Sequence, residues 1–253
     1  MFKKFLFVAL AILALQGTVQ SEERDTSRGL VEQIEKALEN LKKIIENAVN
    51  SALEQFENVF NKLLDTAKGI ILEATGVLNK MAEDALELIR SIVGDASNNG
   101  IDATKCLLGN EEKIISIPDE FLRQITECVD ENIKTARTII DEAIDIVKAK
   151  LNILSQLEKK AKECGIGIGA LPCLGKVLAE IGIQILQLPV QIAEHVANIL
   201  NIVGNIAKSV TECSVNSIAG AGVQIASIIS EVKECVEKAV EENKPAEPKY
   251  MMH

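Results

Sequence analysis

The stretch Cys164–Pro189, CGIGIGALPCLGKVLAEIGIQILQLP, is the part of the sequence that decides the fold. It is rich in glycine and aliphatic residues, and it contains two cysteines and two prolines. Three structures are compatible with such a composition: a nucleotide-binding loop, a membrane-inserting hairpin, and a corner between two buried helices. Each of these structures requires a different sequence context around the stretch.

A nucleotide-binding loop needs a strand before it and a helix directly after it. Gly165, Gly167 and Ala170 match the pattern G-x-G-x-x-A, whose backbone lies against a pyrophosphate. The residues before them, QLEKKAKEC at 156–164, have the charge pattern of a helix end, and Pro172 follows closely. The context therefore argues against a phosphate site.

A membrane-inserting hairpin needs apolar helices long enough to cross the hydrocarbon core. Lys176 and Glu180 interrupt the apolar run, and each costs a few kcal/mol in lipid. If Pro172 and Pro189 bound the helix, it has about 16 residues where about 20 are needed. A membrane-active or pore-forming protein is kept as an alternative.

A helical corner agrees best with the residues of this stretch. Gly165 can adopt the left-handed backbone conformation that closes a helix, and Pro172 suits the first turn of the next one. Cys164 and Cys173 then lie at the two helix ends, within reach of a disulfide across the loop. Because the following helix is apolar on all sides, we expect other helices to surround it.

Six cysteines indicate three disulfides. An even count behind a secretory leader indicates disulfides, and zinc is disfavoured because the chain has no Cys-x-x-Cys pair and only two histidines. The spacings are mirrored around the corner, which favours the nested pairs Cys164–Cys173, Cys128–Cys213 and Cys106–Cys235. The alternative keeps the corner pair and adds two local pairs, Cys106–Cys128 and Cys213–Cys235.

The first residues, MFKKFLFVALAILALQGTVQS, predict a signal peptide over 1–21. Two lysines precede a short apolar run, small residues then fit a cleavage site, and charge follows at once. The alternative is an N-terminal anchor that is retained. The prediction makes the mature protein secreted and extracellular.

Residues 22–94 form a predicted N-terminal helical segment with an apolar seam. Apolar residues recur every seven positions with a 3–4 split, and the register slips by one residue partway along. Two alternatives remain: the helix bends near Gly69 or Gly76, or it continues as an extended rod. The unpaired half of the seam over 26–93 offers a site for self-association or for a partner helix.

Residues 101–241 form a predicted cysteine-containing helical domain, and the proline-bearing tail at 242–253 is predicted to be disordered. Within the domain we expect a turn at 110–118, a helix over 121–162, helices on both sides of Pro189, and a loose point at 219–222. No stretch alternates apolar and polar residues at strand length. The predicted fold class is all-α, an elongated antiparallel helical bundle braced by disulfides.

Composition and motifs exclude several function classes. The net charge of −10 disfavours nucleic-acid binding because the chain repels phosphate backbones. His195 has no nucleophile at a recognisable spacing, so we predict no catalytic residue, no cofactor and no enzyme activity. The stretch DASNNG at 95–100 resembles the start of a calcium loop. However, Cys106 occupies the twelfth place, which requires glutamate, so no metal is predicted.

The chain resembles the insect secreted proteins that carry a tsetse EP-type domain. The likeness rests on the leader, the helical body, the lack of tryptophan, and the run C-x8-C-x-x-x-VL at Cys164, Cys173, Val177 and Leu178. It spans about 102–238 and leaves the N-terminal segment outside. The Glu-Pro repeats of that family are absent, apart from one pair at 247–248. The resemblance implies an extracellular gut or haemolymph protein, with some members linked to immunity and no defined activity.

Taken together, these features predict a secreted, non-enzymatic helical protein that acts by surface contact, in structure or in defence. A second hypothesis is a carrier of lipid or another small apolar ligand, which would lie in the aliphatic interior between 166 and 210. The membrane-active hypothesis is the third.

Overall fold

The computed structural model describes residues 25–165 and 168–243. In these ranges the chain forms four α-helices, two 3-10 turns and no strand, so the all-α prediction is confirmed. The helices are α1 (Asp25–Asn98), α2 (Asn110–Ala149), α3 (Asn152–Glu163) and α4 (Leu171–Glu242), and the turns are Thr104–Cys106 and Ile168–Ala170. The predicted signal peptide, and the predicted tail from 244 onwards, lie outside the described residues.

Contacts between helices divide the described chain into two compact units. Unit 1 contains 25–59 and 138–202, and unit 2 contains 60–137 and 203–243. Each unit therefore combines part of the predicted N-terminal segment with part of the predicted cysteine-containing domain. In unit 1 a hydrogen bond joins Lys150 to Gln191 and an ion pair joins Lys160 to Glu180, so the chain returns in the opposite direction. Each unit is an antiparallel helical bundle.

Disulfides hold both units in the nested pairing. In unit 2, Cys106 bonds to Cys235 and Cys128 to Cys213, which fixes α2 and α4 against each other in opposite directions. In unit 1, Cys164 bonds to Cys173 across the corner, and Gly165 has a φ of 73°, as a helix-closing glycine requires. No cysteine is left free.

Buried positions in the long helices recur every eleven residues. An eleven-residue repeat corresponds to 3.67 residues per turn, so the buried stripe stays on nearly the same side of the helix. In α1 one such series is Ile34, Ile45, Phe56, Ala67, Leu78 and Ile89, and a second is Leu41, Ala52, Leu63, Ala74, Ala85 and Ala96. In α4 the series are Val177, Leu188, Ile199, Val210, Ala221 and Val232, with Ile181, Ile192, Val203, Ser214, Ile225 and Val236.

The seven-residue repeat predicted for the second half of α1 is wrong for this reason. A seven-residue repeat places Val77 and Leu88 in the core, but they are 38% and 43% exposed. Their neighbours Leu78 and Ile89 are fully buried instead. Both repeats use steps of three and four, and they diverge by one residue only after two or three turns. The one-residue shift in register that the sequence shows arises because the true repeat is eleven residues long.

Several predicted helix ends are also wrong. The predicted turn at 110–118 is helical, and α2 continues through Pro118. The predicted long helix over 121–162 is instead interrupted at 150–151, between α2 and α3. Likewise α4 continues through Pro189 and through the glycine-rich point at 219–222. A proline inside a helix costs about 3 kcal/mol. Next to Pro189, the buried side chains of Leu188 and Ile192 hold the helix in place and offset that cost.

The turn between α1 and α2, in unit 2, begins later than predicted. Asp95 and Ser97 lie within α1, and the Ser97 hydroxyl donates to the carbonyl of Val93, so the calcium-like spacing belongs to a helix end. The Asp102 carboxylate accepts hydrogen bonds from the Thr104 hydroxyl at 2.6 Å and from its backbone N–H at 3.2 Å. These bonds lower the pKa of Asp102.

Candidate functional site

The residues that could support catalysis are separated along the described chain. His195 lies half-buried on α4, and its buried Nε2 atom makes no hydrogen bond. Among the described residues no cluster of three or more His, Cys, Asp or Glu side chains is arranged to hold a metal ion. The acidic residue Glu111 forms a surface ion pair in unit 2, because its carboxylate accepts a hydrogen bond from Arg90 at 2.6 Å.

Unit 1 contains a groove of about 580 Å³, here called the corner groove. It lies where the first turns of α1 face the end of α3 and the start of α4. Its lining residues are Val31, Ile34, Glu35, Leu38, Glu39, Lys42, Glu158, Ala161, Lys162, Gly165 and Leu174. Ile34 and Leu174 are buried at 2% and 1% exposure and form an apolar floor. The volume falls in the range of about 300–1,000 Å³ that is usual for small-molecule sites.

Charged side chains surround the apolar floor of the corner groove. Three of them are glutamates and two are lysines. Glu39 is held by Lys43, outside the groove, at 2.8 Å, and this hydrogen bond lowers the pKa of Glu39. Lys42 lies 3.9 Å from Glu46, a weak contact, and Lys162 is exposed. The arrangement suits an amphiphile with an apolar body and a polar end.

A second feature of unit 1 is a row of apolar side chains on the outer side of α4. We call it the α4 seam. Ile183, Leu186 and Val190 are 50%, 45% and 47% exposed although they are large and aliphatic. Exposed alanines continue the row at both ends. The α4 seam consists of Ala179, Ile183, Leu186, Val190, Ala193 and Ala197.

The α4 seam repeats with steps of four and three, the spacing by which one helix packs against another. It lies nearly opposite the buried stripe of the same helix, whose members Ile181, Ile185, Leu188 and Ile192 face the core of unit 1. The expectation that other helices surround this part of the chain is therefore wrong. Helix α4 packs on one side and leaves an apolar row uncovered on the other.

Charge is scarce around the α4 seam. Between Ala179 and Ala207 the charged side chains are Glu180, which is paired with Lys160, and Glu194, in a chain whose residues are 25% charged. The exposed neighbours of the seam include the amides Gln187 and Gln191. The seam is therefore an exposed apolar face with little charge on an acidic protein.

Within the described residues, one helix is long and apolar enough to cross a membrane by length and composition, and it is α4. Its apolar window has a mean hydropathy of 1.4, and 28% of that window is buried. The predicted limit of about 16 residues is wrong because α4 does not end at Pro189. The low burial agrees with the exposed seam.

The sequence pattern alone predicted neither the corner groove nor the α4 seam. It placed a ligand among 166–210, whereas nine of the eleven groove residues come from α1 and α3. The predicted partner surface on 26–93 stays a prediction, and the described apolar stripe of α1 is largely buried. The 3–4 spacing of aliphatic residues in a stretch with only two charged residues was the available signal for the α4 seam.

Comparisons with known proteins add little to this description. No protein-family model matches the chain, and no curated protein matches it in sequence. Among solved structures, a computationally designed three-helix bundle is similar to it with 18% sequence identity and a TM-score of 0.41. The similarity covers 86% of this chain and 99% of that one.

Proposed function

We propose that this is a secreted, non-enzymatic helical protein that acts by surface contact, in structure or in defence, and that the α4 seam is its contact surface. The three disulfides are compatible with an extracellular protein. The resemblance to insect secreted proteins with a tsetse EP-type domain favours the gut or the haemolymph as the place of action.

The observation that supports this proposal is the exposure of Ile183, Leu186 and Val190 in one row. Each aliphatic side chain gains about 1.5–3 kcal/mol when it is moved from water into an apolar contact. Because about half of each side chain is already covered, three of them aligned on one helix contribute about 2–4 kcal/mol per molecule toward association. Scattered exposed aliphatic residues have no such cooperative effect.

The proposal is tested by comparing two variants as baits in fluid from the natural source of the protein. Leu186→Glu places a charge in the α4 seam. Ile202→Glu is the matched control, because Ile202 is 42% exposed on the same helix but lies about 160° around it from Leu186. We expect wild type and Ile202→Glu to retain the same material and Leu186→Glu to lose it.

A different pattern would contradict the proposal. If all three baits retain the same material, the contact surface is elsewhere. If none retains anything and the wild type sediments as a monomer at every concentration, the surface-contact function is wrong. Circular dichroism of each variant shows that the helices are intact, so that loss of binding is not loss of fold.

The corner groove favours a second candidate function, the transport of a small apolar ligand. Its floor is apolar and its edge carries both signs of charge, as an amphiphile requires. Native mass spectrometry of protein from the natural source measures the bound molecule directly. We expect a ligand with an aliphatic portion in the wild type and its loss in Leu38→Glu, because Leu38 lines the groove. Ligand-free protein from the source excludes this function.

A further inference from the structure

We propose that the partner of the α4 seam is a second copy of this chain, docked antiparallel so that the two seams face each other across a twofold axis. This inference rests on the surface-contact function proposed above and identifies the partner. Three properties of the seam carry it: the order of its steps, the sizes of its side chains and its lack of charge.

The steps along the α4 seam read the same in both directions. From Ala179 to Ala197 they are four, three, four, three and four residues. Two copies that run in opposite directions therefore align all of their seam positions at once, with the twofold axis midway between Leu186 and Val190. A twofold interface uses the same patch on both subunits, so that patch must be complementary to itself. Binding to an unrelated protein imposes no such requirement.

Side-chain size also agrees with the antiparallel arrangement. It places Leu186 opposite Val190 of the second copy and Ile183 opposite Ala193 of the second copy. A bulky side chain thus meets a small one next to the axis, and the two helices remain at an even distance. A parallel pair would place Ile183 against Ile183 and Ala193 against Ala193, which crowds one layer and leaves a gap in another.

Charge separates this face from the rest of the acidic chain. Two molecules of net charge −10 repel each other, and the repulsion is weakest where the surface is neutral. In the antiparallel arrangement Glu194 lies closest in height to Glu180 of the second copy, and the ion pair of each Glu180 with Lys160 at 2.6 Å offsets the repulsion between the two carboxylates.

A membrane surface agrees less well with the same residues. Helices that lie in a lipid interface carry lysine and arginine along the edge of their apolar face. The α4 seam has Gln187, Gln191, Glu194 and Asn198 nearby, and its nearest cations in sequence are Lys176 and Lys208, beyond its two ends. A second copy is therefore the better partner.

The arrangement is tested by disulfide formation between two singly substituted proteins, Ile183→Cys and Ala193→Cys, each in the mature chain with its native disulfides. None of the six native cysteines is free, so each variant carries one added thiol. In the proposed dimer the added thiols of a mixture lie opposite each other. Two copies of Ile183→Cys alone hold their thiols about 15 Å apart along the helix, beyond disulfide reach.

We expect a cross-linked dimer from the mixture under mild oxidation and none from either variant alone. Cross-linking of Ile183→Cys by itself would show a parallel pair and overturn the proposal. No cross-link in the mixture would also overturn it. In that case, loss of captured material with Leu186→Glu still supports a seam that binds another protein. Binding to phosphatidylcholine vesicles that Leu186→Glu abolishes, without any cross-link, would show a membrane surface instead.

A measurement without cysteines checks the same interface. Leu186→Glu is expected to raise the dimer dissociation constant by about a hundredfold or more, because two buried leucines are lost per dimer. Ile202→Glu is expected to leave it unchanged. Equal dissociation constants for both variants would contradict the proposed interface, and with unchanged bait retention they would contradict the proposed function as well.

Discussion

Removing the outer disulfide of unit 2 should lower stability by an amount that the nested pairing determines. Cys106 and Cys235 are 129 residues apart, but the inner pair, Cys128 and Cys213, already closes most of that loop. The outer bond therefore constrains only the two 22-residue stretches between the pairs, a loop of about 44 residues. Loop-closure entropy for that length is worth about 4 kcal/mol at 25 °C.

The assay is guanidinium unfolding of the double variant Cys106→Ala/Cys235→Ala, monitored by circular dichroism. Its control is Cys164→Ala/Cys173→Ala, which opens a loop of 9 residues and should cost about 2.5 kcal/mol. Both double variants should also contain no titratable thiol, because every remaining cysteine keeps its partner. Two free thiols in Cys106→Ala/Cys235→Ala would show the local pairs and refute the nested account. A larger loss from the corner pair would refute the loop argument.

Two further predictions concern the packing of the helices, and each has an internal control. Gly220→Ala should destabilise the protein by about 1–3 kcal/mol, because the added Cβ would lie 2.9 Å from the Phe121 ring. Gly69→Ala, where nothing lies within 4 Å, should stabilise it by up to about 1 kcal/mol, and the opposite order in thermal melts would contradict the packing. Phe56→Ala should cost about 3–5 kcal/mol in denaturant unfolding, because Phe56 is fully buried. Leu72→Ala should cost little because Leu72 is 77% exposed, and similar losses would argue against the eleven-residue stripe.

The sequence predicts most of the fold because the helical corner and the six cysteines restrict how the helices can pair. Gly165 closes a helix, Cys164 and Cys173 bond across the turn, and the mirrored cysteine spacings follow from two helices that leave that corner side by side. These features depend on local geometry and chain length, both of which can be read from residue order.

The helix ends could not be predicted from local signals alone. Pro189 carries a local penalty, but its cost is offset by buried neighbours that belong to tertiary packing. The exposed positions were missed for a similar reason. Val77 and Leu78 are both apolar, and which of them is buried depends on whether the repeat is seven or eleven residues long.

The candidate sites were harder to predict from the sequence than the helix ends. The corner groove combines residues of α1, α3 and α4 that are distant in sequence, so no local pattern indicates it. The α4 seam is local, but its aliphatic residues look the same in sequence as those of the buried stripe on the opposite side of α4. Only the packing of unit 1 shows that Ile181 faces the core and Ile183 faces solvent.

Sedimentation equilibrium of the mature, disulfide-bonded protein over a range of concentrations measures whether the α4 seam forms a dimer, with Leu186→Glu and Ile202→Glu measured alongside. A seam of six residues gives a small interface, so a dissociation constant in the micromolar range is expected for the wild type. We expect a monomer–dimer equilibrium for the wild type and for Ile202→Glu, and a monomer for Leu186→Glu. A wild type that remains monomeric at millimolar concentration, or a dimer that Leu186→Glu leaves intact, would contradict this expectation.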